Sequence, residues 1–112
     1  MWSGLQSEAL SLEADLLKVL GHPVRLRVLQ VLEREETCVC DLIQVTGVEQ
    51  SNLSQHLKLL RKHGLVATRR DGTKIMYRLI NPSVMQVLEA AVQAVQVHLD
   101  QLAALAATRK VQ

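Results

Sequence analysis

The chain has 112 residues, 48% of them apolar and none of them Phe, with a formal charge of only +2. That length holds one core rather than two, and a core without Phe must be built from Leu, Val and Ala, which favours helices. No apolar run approaches the ~18 residues of a membrane span, and the opening Met1-Trp2-Ser3-Gly4-Leu5-Gln6 lacks the basic-then-apolar layout of a secretory signal. No membrane association and a cytoplasmic location are therefore expected.

The charge is unevenly placed. Met1 to Leu53 carry four Lys/Arg against eight Asp/Glu, whereas Ser54 to Ile80 carry seven (Lys58, Arg61, Lys62, Arg69, Arg70, Lys74, Arg78) against Asp71 alone. A phosphate-contacting surface leaves that footprint; a solvated basic face without a partner has the same composition.

In chain order, Ser7 to Leu20 reads as a first helix, capped by Ser7, with Ala9, Leu12, Leu16, Val19 and Leu20 as its buried stripe. Gly21-His22-Pro23 stops it, and Pro23 suits the first position of a second helix running from Val24 to about Arg34. That helix buries Leu26, Leu29 and Leu32 or their neighbours Val28 and Val31. His22 reads as a local turn contact rather than a ligand.

Thr37 to His63 then spells two short helices around a tight turn: Cys40 to Val45, the turn Thr46-Gly47-Val48, and Gln50 to His63. Leu42 and Val45 give the first an apolar edge. Leu53, Leu57 and Leu60 form a stripe on the second. Its other face carries Ser51, Asn52, Ser54, Gln55, Lys58, Arg61 and Lys62. Amides, hydroxyls and cations over a buried stripe suit the major groove of DNA, although an ordinary amphipathic surface helix shares the pattern. Gln50, Ser51, Asn52, Ser54, Gln55 and His56 are the candidate DNA-reading residues. Lys58, Arg61, Arg70 and Lys74 are the candidates for phosphates or the minor groove. His63 is expected at the helix end, near its negative dipole.

Gly64 ends that helix. Leu65 to Thr68 and Lys74 to Ile80 read as strands joined through Asp71-Gly72, a hairpin signal. A basic hairpin after a helix-turn-helix is a wing, with Arg69, Arg70 and Lys74 toward its tip. Asn81-Pro82 breaks the strand, and a last helix runs to about Ala107, with Thr108 to Gln112 as a tail. Its Leu88, Val92, Val95, Leu99, Leu102 and Ala106 offer more apolar face than so small a chain can cover. A homodimer through the last and first helices is the expectation. The fold class is thus mainly α with a small β-hairpin, a dimeric winged helix-turn-helix of order α-α-α-α-β-β-α in a single domain, 1–112.

Four segments, LLKVLGHPVRLRVLQVL, TCVCDLIQVTG, QSNLSQHLKLLRKHGLV and RRDGTKIMYRL, closely resemble the ArsR/SmtB family of bacterial metal- and metalloid-sensing repressors. The resemblance covers roughly Leu16 to Ile80. It implies a cytosolic dimer, and no enzyme, that holds a palindromic double-stranded operator until an ion or another thiol-reactive inducer binds.

Cys38 and Cys40, the only cysteines, are the candidate metal ligands. In a reducing cytosol they stay thiols, and such a pair suits As(III) and Sb(III) first, with Cd(II) or Pb(II) behind; no permanent cofactor is implied. A helix start is expected to lower their pKa. Residues two apart on a helix point about 200° from one another. Closing both sulfurs on one ion is therefore expected to unwind the first turn and shift the reader against its partner copy.

The chain departs from the family pattern in places. Ile43 stands where arsenic-responsive members commonly have a third cysteine, and residues 1 to 37 hold no cysteine of the kind cadmium and lead sensors add. A zinc site on the last helix is rejected, since His98 is followed by Gln101. Oxidation of Cys38 and Cys40, or reaction with another thiol-reactive species, is the alternative signal. A small thiol metal carrier is a more distant one, and a structural adaptor would leave the basic wing unexplained.

Overall fold

The computed structural model describes residues 4–111, and their side chains except those of Leu5, Lys110 and Val111. The elements are α1 (Gly4–Leu20), α2 (Pro23–Arg34), β1 (Thr37–Cys38), α3 (Val39–Thr46), α4 (Gln50–Lys62), β2 (Val66–Asp71), β3 (Lys74–Leu79) and α5 (Val84–Val111). The chain divides after Pro82 into two compact units, the first holding α1 to β3 and the second α5. Among the described residues no helix is long and apolar enough to cross a membrane.

Local chemistry explains most boundaries. Pro23 opens α2, where its missing N–H costs nothing, and His22 caps the helix by accepting the Val24 N–H at its Nδ1, 3.1 Å away. The turn contact expected of His22 is this cap. Between α3 and α4, Gly47 closes α3 at φ 68°, a left-handed backbone that a side chain disfavours. Thr46 tightens the same corner, its Oγ1 donating to the Leu42 carbonyl at 2.7 Å.

The apolar pattern decides what is inside. Val28, Leu29 and Leu32 of α2, Leu42 of α3, and Leu53, Leu57 and Leu60 of α4 are buried, together with Leu65 and Val66. The leucine stripe of α4 therefore packs inward as its spacing requires. Val45, expected beside Leu42, is exposed instead, at the rim of a groove lined by Arg27, Gln30 and Val31 of α2. Among the described side chains of α1 only Val19 and Leu20 are buried; Leu12 is 71% exposed and Ala9 is exposed as well. In α5 every residue from Glu89 to Arg109 is exposed.

The sheet has three antiparallel strands, in the order β1-β3-β2. The two-residue strand β1 was not visible in the sequence, so the order is α-α-β-α-α-β-β-α with one strand more than expected. Strands β2 and β3 also reach further into the hairpin. Asp71 pairs with Lys74, leaving only Gly72 and Thr73 as the turn, with Gly72 at φ 63°. Arg69 and Arg70 consequently lie in a strand rather than a loop. Helix α5 continues past Ala107 to Val111, so the expected tail is helical; Gln112 lies outside the described residues.

Leu60 is fully buried. Leu60→Ala removes its packing and leaves a cavity, and is expected to cost about 2–5 kcal/mol in urea-unfolding free energy. A loss below about 1 kcal/mol would show that α4 does not depend on its stripe.

Candidate nucleic-acid interface and thiol site

Helix α4 presents the expected surface. Gln50, Ser51, Asn52, Ser54, Gln55, Lys58 and Arg61 are all exposed over the buried leucines. Beside them Ser54, Lys58, Arg61 and Lys62 meet Tyr77 of β3 in an open cleft of about 440 Å³. Three cations in one cleft concentrate positive charge on this surface. Tyr77 joins this surface from the sheet. Its place in an alternating strand hid it, because periodicity says which side chains share a face but not which neighbour that face meets.

The wing divides its arginines. Arg70 and Lys74 are exposed on β2 and β3. Arg69 is held instead by Glu36, whose carboxylate takes two hydrogen bonds from Arg69 Nε at 2.8 and 2.9 Å and a further contact from Nη2. The guanidinium holds the Glu36 carboxyl below the usual carboxylate range. Arg69 thus ties the wing to the segment just ahead of the cysteines.

His56, expected among the base readers, is placed differently from the exposed side chains around it. Its ring is half-buried, with Nδ1 3.0 Å from Arg25 Nη1 and its centroid 4.3 Å from that of His22. An arginine only donates, so Nδ1 is the acceptor and the ring proton belongs on Nε2. Arg25 also donates to the carbonyls of Val19 and Lys18, the latter at 3.3 Å. His56 therefore fastens the reader to the α1–α2 corner. His63 caps the far end of α4, its Nδ1 3.0 Å from the Leu59 carbonyl.

The cysteines correct the expected geometry. Cys38 is not in the helix. It is the extended N-cap of α3, at φ −76° and ψ 158°, its backbone paired with Met76 of β3 and its Sγ accepting the Asp41 N–H at 3.4 Å. Cys40 alone is helical, so the 200° divergence does not apply. The sulfurs of Cys38 and Cys40 and a carboxylate oxygen of Asp41 lie within 4.8 Å of one another, Cys38 buried and the other two exposed. Both thiols are free. A two-sulfur, one-oxygen set suits thiophilic ions that tolerate an oxygen donor.

The pKa expectation is overturned for Cys38. Its thiol is pushed up from the ordinary thiol range, first by its hydrogen bond with Cys40, and further by burial and by Asp41. The capping N–H of Asp41 pulls the other way and loses. Asp41 was passed over in the sequence, although a carboxylate three residues after an N-cap thiol is the available signal.

Helix α2 packed on the α3–α4 pair, followed by a basic β2–β3 hairpin, defines a winged helix-turn-helix. The sequence pattern of the family described as "Bacterial regulatory protein, arsR family" matches residues 22–68. The chain is 40% identical over 89 residues to an HTH-type transcriptional regulator of Mycobacterium tuberculosis, covering 78% of each. It is 45% identical over 66 residues to the arsenical resistance operon repressor of Staphylococcus xylosus, covering 59% of this chain and 64% of that one. Among solved structures, NolR from Sinorhizobium fredii superposes with a TM-score of 0.78 at 38% identity, over 84% of this chain and 94% of NolR. A homodimeric winged helix-turn-helix DNA-binding domain from Mycobacterium bovis does so at 0.75 and 28%, over 89% and 93%. This chain belongs to the arsR family of bacterial regulatory proteins, a family of transcriptional regulators and not of enzymes.

Burial, then the neighbouring His22 and Arg25, lowers the His56 pKa from its ordinary 6.5. With the folded value below the unfolded one, the unfolded chain binds the extra proton between them. Stability is then fully present above pH 6.5 and falls as pH drops through the folded value. NMR titration of the His56 ring should give a midpoint below 6.5, and His56→Gln should flatten the pH dependence of unfolding in that window. A midpoint at or above 6.5 contradicts the Arg25 contact.

Proposed function

We propose that this protein is a cytoplasmic homodimeric repressor that holds a double-stranded operator through α4 and the β2–β3 wing. It releases the operator when Cys38 and Cys40 hold a thiophilic ion, As(III) or Sb(III) first and Cd(II) or Pb(II) behind. The observation that carries the DNA-binding half is the polar face of α4, exposed above its buried leucines and flanked by the basic cleft at Tyr77.

In this reading Gln50, Ser51, Asn52, Ser54 and Gln55 meet base edges in the major groove. Lys58, Arg61, Arg70 and Lys74 meet phosphates or the minor groove. His56, engaged by Arg25, orients that face. The whole chain works as one domain with α1 and α5 as dimerisation helices. Leu12 and Leu17 of α1, and Val92, Val95, Leu99, Leu102 and Leu105 of α5, are the exposed apolar side chains that a second copy would cover.

The sensor half rests on the convergence of two thiols beside β3 of the wing. Cys38 is hydrogen-bonded into the sheet and caps α3, so a ligand on its sulfur acts on both. For a divalent ion Asp41 supplies a third donor, in the place that Ile43 leaves without a thiolate. No permanent cofactor takes part. Turning a hundredfold bias toward the bound state into its reverse requires about 5 kcal/mol of differential affinity, which soft-metal thiolate bonds can supply.

Operator binding measured by fluorescence anisotropy should weaken steeply with salt, with a log–log slope of about −0.9 per phosphate contact. Lys58→Ala and Arg61→Ala should each reduce that slope by about one contact. Salt-insensitive binding would remove the DNA-reading assignment. Cys38→Ser and Cys40→Ser should each keep operator affinity within about threefold and abolish release by arsenite, antimonite, Cd(II) and Pb(II). Release of both variants at wild-type ion concentrations would place the sensor elsewhere, and release of the wild type by peroxide alone would make the signal oxidation.

A further inference from the structure

The imidazole of His56 is held by an arginine rather than by an acid. Arg25 donates to the carbonyls of Val19 and Lys18 at the end of α1, and its Nη1 donates to His56 Nδ1 at 3.0 Å. Each of these acceptors is neutral. His22 completes the cluster, its ring centroid 4.3 Å from that of His56 and its own Nδ1 occupied by the Val24 N–H. Of the elements packed on α4, α2 brings Arg25 and its cap His22 to this ring, while the charges of β2 do not bear on it. From α1 come only the two carbonyls that Arg25 uses.

Such a cluster accommodates one cation. An arginine has only donors, so His56 Nδ1 must be bare for the contact to exist. Protonating the ring sets N–H against N–H and a second charge beside the guanidinium, which breaks the contact and turns the ring toward solvent. His56 follows Gln55 and stands one turn after Asn52, both exposed on the polar face of α4, so the freed cation joins that face. One proton therefore acts on two properties in opposite directions. Losing the contact removes what aims α4 at base edges, and base contacts carry sequence discrimination. Gaining the charge strengthens attraction to phosphates, which is indifferent to sequence.

Resting on the assignment of α4 as the DNA reader, we propose that Arg25 and His56 are positioning residues that set operator selectivity, and that their contact makes this selectivity proton-linked. Acid turns a selective reader into an indiscriminate one. Burial, His22 and Arg25 hold the ring's pKa below its ordinary 6.5, so the neutral, selective form prevails at neutral pH. Selectivity is lost as pH falls through the ring's own midpoint.

The test uses the full-length protein and two duplexes, one selected by this protein from a random library at neutral pH and one with the same bases scrambled. Fluorescence anisotropy at fixed ionic strength gives both dissociation constants from about pH 7.5 to about pH 5, the span in which a histidine ordinarily titrates. Circular dichroism confines the comparison to pH values at which the protein is folded. Preference for the selected duplex should fall about tenfold across the span, while affinity for the scrambled one holds or rises. The break should coincide with the NMR midpoint of the His56 ring. His56→Gln, whose amide oxygen accepts from Arg25 at every pH, should give a flat preference, and His63→Gln and His98→Gln should keep the wild-type profile. Arg25→Gln should lower the preference at neutral pH toward its acid value. A wild-type preference that stays constant, a loss that persists in His56→Gln, or a preference untouched by Arg25→Gln overturns the inference and leaves the DNA reading standing. Binding to neither duplex, or binding insensitive to salt, removes the reader assignment and this inference with it.

Discussion

Cys38 gives its backbone to one neighbour and its sulfur to another. The backbone pairs with Met76 in the central strand of the sheet, while Sγ accepts the Asp41 N–H and caps α3. A free N–H at a helix start needs an acceptor, and here the acceptor is also the chain's most nucleophilic kind of atom. The cap draws the sulfur toward the first turn of α3, where Cys40 and Asp41 stand. The geometry of the thiol site is therefore a by-product of satisfying a backbone donor. Glu36 and Arg69 reinforce the arrangement from the other side, pinning the residues ahead of Cys38 to β2.

The reader is positioned by a different kind of force. Leu53, Leu57 and Leu60 bury one face of α4, and burial sets which side chains point outward without setting the helix's angle about its neighbours. The angle is specified by directional contacts. Gly47 fixes the corner before α4, and Arg25 spans from the α1–α2 corner to His56. A guanidinium that serves two carbonyls and one imidazole has little freedom to wander. Hydrophobic packing provides the stability, and these polar contacts provide the aim.

Helix α1 joins the second arrangement only through the carbonyls of Lys18 and Val19 at its end, and α5 forms a unit of its own. Their exposed leucines and valines have no role in a single chain, and a large apolar face left in water is costly. In the proposed dimer these faces become interior, and the stability of the protein depends on protomer concentration. The wing and the thiol site lie on other elements, which leaves them free for DNA and ligand.

The amphipathic period of α4, the Pro23 start of α2, the glycine corners and the charge concentrated between Ser54 and Ile80 were legible in the sequence, because each arises within a few residues along the chain. So was the candidate thiol pair, since Cys38 and Cys40 are the only cysteines. The tertiary structure alone decided where those atoms stand. Strand β1 is two residues long and exists because β3, forty residues later, supplies its hydrogen bonds. No local pattern announces that pairing, and it takes Cys38 out of the helix and brings the sulfurs together. The same holds for Arg25 on His56 and Glu36 on Arg69: each joins residues about thirty apart, and only the packed chain sets them side by side.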